Sequence, residues 1–170
     1  MEPGILIITT GGTIDDLEYS DESKAPSGRA SIIPRLLGET GLGRENMTIE
    51  QLMLKDSAFI TDVDRKTLLN RIQTSSASRI LITHGTKTMV VTAKFLGPHI
   101  AKKTVVLTGC MTLPSVDNSK DAIASLKFAL ESFKTLPSGV YVAMHGRIFD
   151  WKNVRKNIEK GVFETEKRSV

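Results

Sequence analysis

The chain is short of cysteine, of aromatic residues and of long apolar runs. Cys110 is the only cysteine in 170 residues, so no disulfide forms within the chain and no thiolate cluster can hold a metal. Aromatic residues make up 5% of the chain, and only Trp151 and Phe163 lie in its most basic stretch. Single-stranded nucleic acids are bound on basic grooves interleaved with stacking rings, and no RRM, KH or zinc-finger pattern is present. No nucleic-acid partner is expected. The opening apolar run, Ile5 to Ile8, is too short to span a membrane or to serve as a secretion signal, and Met1-Glu2-Pro3-Gly4 gives it no basic flank. The expectation is a cytoplasmic protein without a membrane partner.

What is present is ordinary for a folded domain. The length suits one domain, residues 1–170, and a composition 40% hydrophobic and 25% charged excludes a disordered chain. The net charge of +4 is unevenly placed: residues 1–146 hold 16 basic and 15 acidic side chains, whereas Arg147 to Arg168 hold seven and four. A solvated C-terminal helix is the expectation for that basic tail.

Short β-rich runs alternate with stretches of helical period. The runs are Ile5 to Ile8, Met47 to Leu52, Ile80 to Thr83, Thr104 to Thr108 and Val140 to Met144. Four of the five are nearly unbroken apolar segments, as strands covered on both faces require. Thr61-Asp62-Val63-Asp64 reads as a capping box that opens a helix through about Ser75, with Val63, Leu68, Leu69 and Ile72 spaced for burial. Ala122, Ile123, Leu126, Ala129, Leu130 and Phe133 form a second helical stripe, which Pro137-Ser138-Gly139 ends. Alternation of this kind predicts an α/β three-layer sandwich around a mostly parallel sheet, with right-handed crossovers.

Open parallel sheets bind ligands beyond the carboxyl ends of their strands. The segments at those ends are Thr9-Thr10-Gly11-Gly12-Thr13-Ile14-Asp15-Asp16, Thr83-His84-Gly85-Thr86-Lys87-Thr88 and Thr108-Gly109-Cys110-Met111. Hydroxyls and glycines thus converge on one rim. Neither a phosphate loop nor a dinucleotide fingerprint surrounds Gly11-Gly12. Asp15 and Asp16 would suit a Mg²⁺-dependent phosphotransfer site only with a carboxylate after the middle strand, where the chain has Thr83-His84-Gly85-Thr86. Asp15, Asp16, Glu18, Asp21 and Glu22 are read instead as a solvated acidic loop. His84, His99 and His145 lack metal-ligand spacing, and His84 is read as a structural hydrogen-bonding residue. Cys110 beside Gly109 is read as packing. A threonine nucleophile for acyl transfer remains: Thr13 attacks, a second hydroxyl and an amine move the proton, and backbone N–H groups hold the oxyanion. A Gly-Gly-Thr turn is also a common way for a chain to leave a strand.

Thr10-Gly11-Gly12-Thr13-Ile14 and Ile82-Thr83-His84-Gly85-Thr86-Lys87-Thr88-Met89 closely resemble the two signature motifs of the bacterial-type L-asparaginases. Val105 to Met111, Leu136 to Tyr141 and Val154-Arg155-Lys156-Asn157 extend the resemblance, in order, over nearly the whole chain. It implies a flavodoxin-like N-terminal domain, a small amide substrate, no cofactor and a homo-oligomer, most simply a dimer. By the same resemblance Thr13 is the nucleophile, Tyr19 a lid residue that assists it, Thr86 the second catalytic threonine and Lys156 the lysine that works with Thr86 in proton transfer. Gly12, Ser57, Gly85 and Lys87 fall at substrate-binding positions, with Ala58 where a glutamine commonly follows the serine.

Two departures qualify what the resemblance implies. The family motif reads His-Gly-Thr-Asp-Thr, and Lys87 stands where that aspartate contacts the α-ammonium of asparagine. L-Asparagine in the usual pose should therefore bind poorly. The chain also resembles only the N-terminal part of the longer enzymes, so its site must be completed by oligomerisation, by the tail, or not at all. Two readings follow. If Lys87 and Lys156 approach each other, repulsion lowers an ammonium pKa and provides a base for amide cleavage. If Lys87 turns to solvent and the relay is broken, the chain is a weak or inactive binder of a small anionic ligand.

Overall fold

The computed structural model describes residues 4–114 and 119–166. Met1 to Pro3, and Lys167 and Arg168 of the basic tail, lie outside the described residues.

Six strands form one sheet: β1 (Ile5–Gly11), β2 (Met47–Lys55), β3 (Arg79–Thr83), β4 (Thr104–Thr108), β5 (Gly139–Met144) and β6 (Arg147–Asp150). Their order is β2-β1-β3-β4-β5-β6. The first five run parallel, and β6 turns back antiparallel on β5. This is the flavodoxin-like order, in which the direction of winding reverses between β1 and β3. The β1, β3, β4 and β5 runs are almost wholly buried. Edge strand β2 is half-buried along most of its length, and this accounts for its mixed composition.

Two helices cover each face. Helices α2 (Asp62–Thr74) and α3 (Met89–Leu96) pack on the side of Leu6, Ile8, Ile80, Ile82, Val105 and Leu107. Helices α1 (Ile33–Gly38) and α4 (Lys120–Ser132) cover Ile7, Leu81, Val106 and Tyr141. The Thr61–Asp64 capping box forms with both of its reciprocal hydrogen bonds, an arrangement that stabilises a helix start by about 1 kcal/mol. Along α2, Arg65, Leu68 and Ile72 are buried and Leu69 partly so. Val63 does not join them and is 71% exposed. Two residues along a helix turn the side chain by roughly 200°, so Val63 lies on the face opposite Arg65. The buried guanidinium takes the place that the sequence pattern gave to an apolar side chain.

The tail differs more sharply from expectation. Beyond β6 the chain forms an antiparallel hairpin, β7 (Val154–Asn157) with β8 (Val162–Thr165), and no helix among the described residues. Val154 and Phe163 point from it into the core beneath α3, while Arg155 pairs with Glu164 across the strands. Alternation along β7 puts Arg155 on one face and Val154 and Lys156 on the other, so the two adjacent basic residues part company, one to the surface and one to the rim. The turn closes at Gly161, whose φ of 63° is left-handed.

Candidate active site

The last paired residues of β1, β3 and β4 are in register, Thr9 beside Thr83 and Thr83 beside Thr108. The segments that follow therefore leave the sheet side by side, at the β1/β3 switch point. Thr10 Oγ1 ties them by donating to the Thr83 carbonyl at 2.7 Å. Gly12 and Gly85 bring the backbones into contact: a Cβ on Gly12 would sit 2.3 Å from Gly85 Cα, and one on Gly85 would sit 2.6 Å from Ser57 Oγ. Gly12 also has φ 85°, a conformation that L side chains rarely adopt. Three distant stretches, 12–13, 57 and 85–86, are thereby pressed together.

Ser57 opens a short turn (Ser57–Phe59) after β2, with Asp56 as its cap accepting from Ala58 N–H at 2.9 Å. Ser57 Oγ accepts from Thr88 N–H at 3.3 Å, and its carbonyl accepts from Thr88 Oγ1 at 2.7 Å. Asp56 Oδ2 accepts from Tyr19 N–H at 3.3 Å and from Lys87 Nζ at 2.9 Å. Burial pushes the Asp56 carboxyl up, but these N–H and ammonium donors outweigh it and hold the group below the usual carboxylate range. Glu18 stands 3.9 Å from the same ammonium. Lys87 is therefore ion-paired rather than free in solvent, although 44% of its side chain is exposed. Tyr19 is buried, its ring stacked on Phe59 with centroids 5.2 Å apart.

The amine arrives from the hairpin. Lys156 Nζ donates to Thr86 Oγ1 at 3.0 Å and lies 5.9 Å over the Phe163 ring. Burial, and after it the positive charge of Lys87, lower the Lys156 pKa from its ordinary value. Thr86 is buried and Thr13 half-buried.

Behind Thr86 a buried chain holds the turn. His84 Nδ1 donates to the Gly85 carbonyl at 2.8 Å, which leaves Nε2 to accept from Thr92 Oγ1 at 2.9 Å. Thr92 in turn accepts from Arg65 Nε at 3.1 Å. Burial, against the Gly85 carbonyl and with Arg65, lowers the His84 pKa to about 4, so the ring is neutral at about pH 7. His84 has the structural role read from the sequence. The acidic loop does not behave as expected throughout: Asp16, Glu18, Asp21 and Glu22 are exposed, whereas Asp15 is fully buried. Its Oδ1 accepts from Ile32 N–H at 2.7 Å and its carbonyl from Arg29, anchoring the loop to the start of α1. Cys110 is buried, and burial, Asp121 and Asp16 push its thiol up to about 12, far from a reactive thiolate.

Gly12, Ser57, Gly85, Thr86, Lys87 and Lys156 thus form one connected group on the rim. Tyr19 is linked to it through Asp56, and Thr13 directly follows Gly12. Sequence reasoning missed Asp56, Arg65 and Thr92. Asp56 carried a usable signal, since an aspartate two positions before a turn N–H is a common cap. A cavity of about 280 Å³ lies farther along the rim between β4, β5 and α4, bordered by Cys110, Asp121, Phe128 and His145, and holds none of these groups. Among the described residues no group of three or more His, Cys, Asp or Glu is placed to hold a metal. No described helix is long and apolar enough to cross a membrane.

Fold and rim together define a class: a flavodoxin-like α/β domain carrying hydroxyls and an amine at its switch point. The model of the asparaginase N-terminal domain matches residues 4–163, and the chain belongs to the asparaginase family. It is 31% identical over 165 residues to the glutaminase-asparaginase of Acinetobacter glutaminasificans, covering 91% of this chain and 50% of that one. It is 29% identical over 158 residues to a component of the glutamyl-tRNA(Gln) amidotransferase of Methanococcus maripaludis, covering 86% and 36%. Among solved structures, the thermostable L-asparaginase of Thermococcus kodakarensis superposes with a TM-score of 0.77 at 27% identity, covering 95% of this chain and 51% of that one. The probable cytoplasmic L-asparaginase of Campylobacter jejuni gives 0.73 at 28%, covering 96% and 53%. The chain spans half or less of the length of the curated relatives named here.

Proposed function

We propose that this chain is an asparaginase-like amidohydrolase that cleaves a small amide with Thr13 as nucleophile. Thr13 Oγ bonds to the amide carbonyl carbon and loses its proton through the Thr86–Lys156 pair. The C–N bond breaks as a proton is delivered to nitrogen, and ammonia leaves an ester on Thr13. Water then attacks that ester with Lys156 and Thr86 taking its proton, which frees the carboxylate product and restores the hydroxyl. Gly12 and Gly85 shape the wall against the substrate, Ser57 and Lys87 meet its far end, and Tyr19 assists Thr13 from the loop tied to Asp56.

The observation that carries this reading is Lys156 Nζ held 3.0 Å from Thr86 Oγ1 while burial and Lys87 lower its pKa from the ordinary value. An amine whose proton is held less tightly than usual, beside a hydroxyl, is suited to accept that hydroxyl's proton. A cytoplasmic homodimer belongs to the same reading. The likeness to the probable cytoplasmic L-asparaginase of Campylobacter jejuni supports the location.

The test is ammonia release from a panel of small amides by the wild type and by Thr13→Ala. A loss of roughly a hundredfold or more in kcat/KM is expected in the variant, with an unchanged melting temperature. Release that persists in Thr13→Ala contradicts the assignment. The two ammonium groups also favour an anion without any turnover. Binding of the hydrolysis products with no ammonia release by the wild type identifies the chain as an anionic-ligand binder instead.

A further inference from the structure

Lys87 and Asp56 together set what the far end of the substrate must be. The rim around Thr13 and Thr86 presents two ammonium groups, Lys87 and Lys156. The nearest buried carboxylate is already engaged: Asp56 Oδ1 takes Ala58 N–H, and Oδ2 takes both Tyr19 N–H and Lys87. Its side chain is 4% exposed, so an incoming cation meets the Lys87 ammonium before it meets the carboxylate. Lys87 spends one of its three N–H groups on Asp56, stands 3.9 Å from Glu18, and keeps 44% of its side chain exposed. Ser57 Oγ accepts from Thr88 N–H and, among the described residues, its own hydrogen is given to no acceptor. An ammonium donor and, beneath it, a buried hydroxyl donor, with both neighbouring carboxylates, Asp56 and Glu18, turned to that ammonium, suit a carboxylate. They do not suit a carboxylate that carries an ammonium on the adjacent carbon, because that cation would be pressed against Lys87.

Length follows from the same contacts. Ser57 Oγ packs directly on Gly85, and Thr86 is the next residue. A carboxylate near Ser57 and an amide carbonyl near Thr86 are then bridged by a short chain, since the Cα atoms of adjacent residues lie about 3.8 Å apart.

We infer that the site takes the monoamide of a short dicarboxylic acid that lacks an α-ammonium group, with succinamate as the simplest case, and that Lys87 is the residue that excludes α-amino acids. The reaction is the hydrolysis described above: the C–N bond of succinamate breaks, water supplies the new C–O bond, and succinate and ammonia are released. The inference deepens the amidohydrolase reading and rests on it for turnover, while its binding preference stands independently.

The experiment uses the full chain and the products as probes. Calorimetric titration with succinate and with L-aspartate is made on the wild type, Lys87→Gln and Lys87→Asp. The wild type is expected to bind succinate roughly tenfold or more tightly than L-aspartate. Lys87→Gln, which keeps a hydrogen-bonding side chain beside Asp56, should lose that preference, and Lys87→Asp should reverse it. A wild type that binds L-aspartate as tightly as succinate overturns the inference. So does a wild type that binds no succinate at millimolar concentration, or a folded Lys87→Gln that retains the wild-type preference. Should Lys87→Asp unfold because it faces Asp56, Lys87→Gln alone decides the point. Ammonia assays with succinamate and L-asparagine separate the two readings. The expected binding order without release from any amide overturns amide cleavage and upholds the ligand class, whereas release that favours L-asparagine does the reverse.

Discussion

In the proposed mechanism Lys156 is the residue on which the chemistry turns, and its environment fixes a direction in pH. Burial first and the neighbouring Lys87 second both disfavour the charged amine. If the neutral amine is the base, activity rises with pH as Lys156 loses its proton. Removing the charge at 87 removes one of the two lowering effects and raises the Lys156 pKa. The alkaline-going limb of the kcat profile, measured with one amide in the wild type and in Lys87→Gln, should therefore move to higher pH in the variant. An unmoved limb, with activity retained, would show that the two amines are not coupled. His84 illustrates a different outcome at the same scale. A histidine next to a strand-end glycine invites a catalytic reading, yet both ring nitrogens are engaged by Gly85 and Thr92, and the ring is fully buried. It shapes the turn that presents Thr86.

Among the elements, the β7–β8 hairpin has the most consequence for the site, because it brings Lys156 to Thr86. Its Arg155–Glu164 pair lies near the surface and adds little to its docking. Val154 and Phe163, 0% and 2% exposed, hold it against the core below α3. Phe163→Ala should cost about 3 kcal/mol or more of stability. It should also lower kcat more than the lost stability explains at a temperature where the variant is folded, since Lys156 is the cross-strand partner of Phe163. Thermal melts and steady-state assays on one preparation test both parts, and a destabilised variant with an unchanged kcat would detach the hairpin from catalysis.

Legibility also differs by element. Strands β1, β3, β4 and β5 are apolar runs because both of their faces are covered, and that pattern survives in the sequence. Helices α2 and α4 are visible through a cap and a stripe. Helix α3 is not, since Met89–Leu96 is short, rich in β-branched residues and buried at half its positions, which blurs the helical period. Helix α1, six residues long, is too short to show a period at all. The hairpin in the tail is hidden for another reason: excess charge says where solvent is and nothing of backbone geometry. Only the pairing of Val154 with Thr165 and Lys156 with Phe163 shows that two four-residue segments belong together.

At the scale of the whole molecule, the parallel order β2-β1-β3-β4-β5 is what gathers residues so far apart along the chain. Thr13 follows β1 and Thr86 follows β3, so adjacency in the sheet becomes adjacency on the rim. The motif residues are legible because they sit at strand ends, where a glycine beside a threonine lets two backbones meet. Their supports are not, since Asp56, Arg65 and Thr92 act through contacts that only the folded chain creates.

That Thr86 and Lys156 serve Thr13 as one catalytic unit is the premise of the mechanism, and a double-mutant cycle probes it. Ammonia release from succinamate would be measured for the wild type, Thr86→Val, Lys156→Met and the combined variant, all checked for folding. Residues that act as a unit give grossly non-additive losses, so the combined variant should be barely slower than the worse single one. Losses that multiply, or a wild type that releases no ammonia, would refute it.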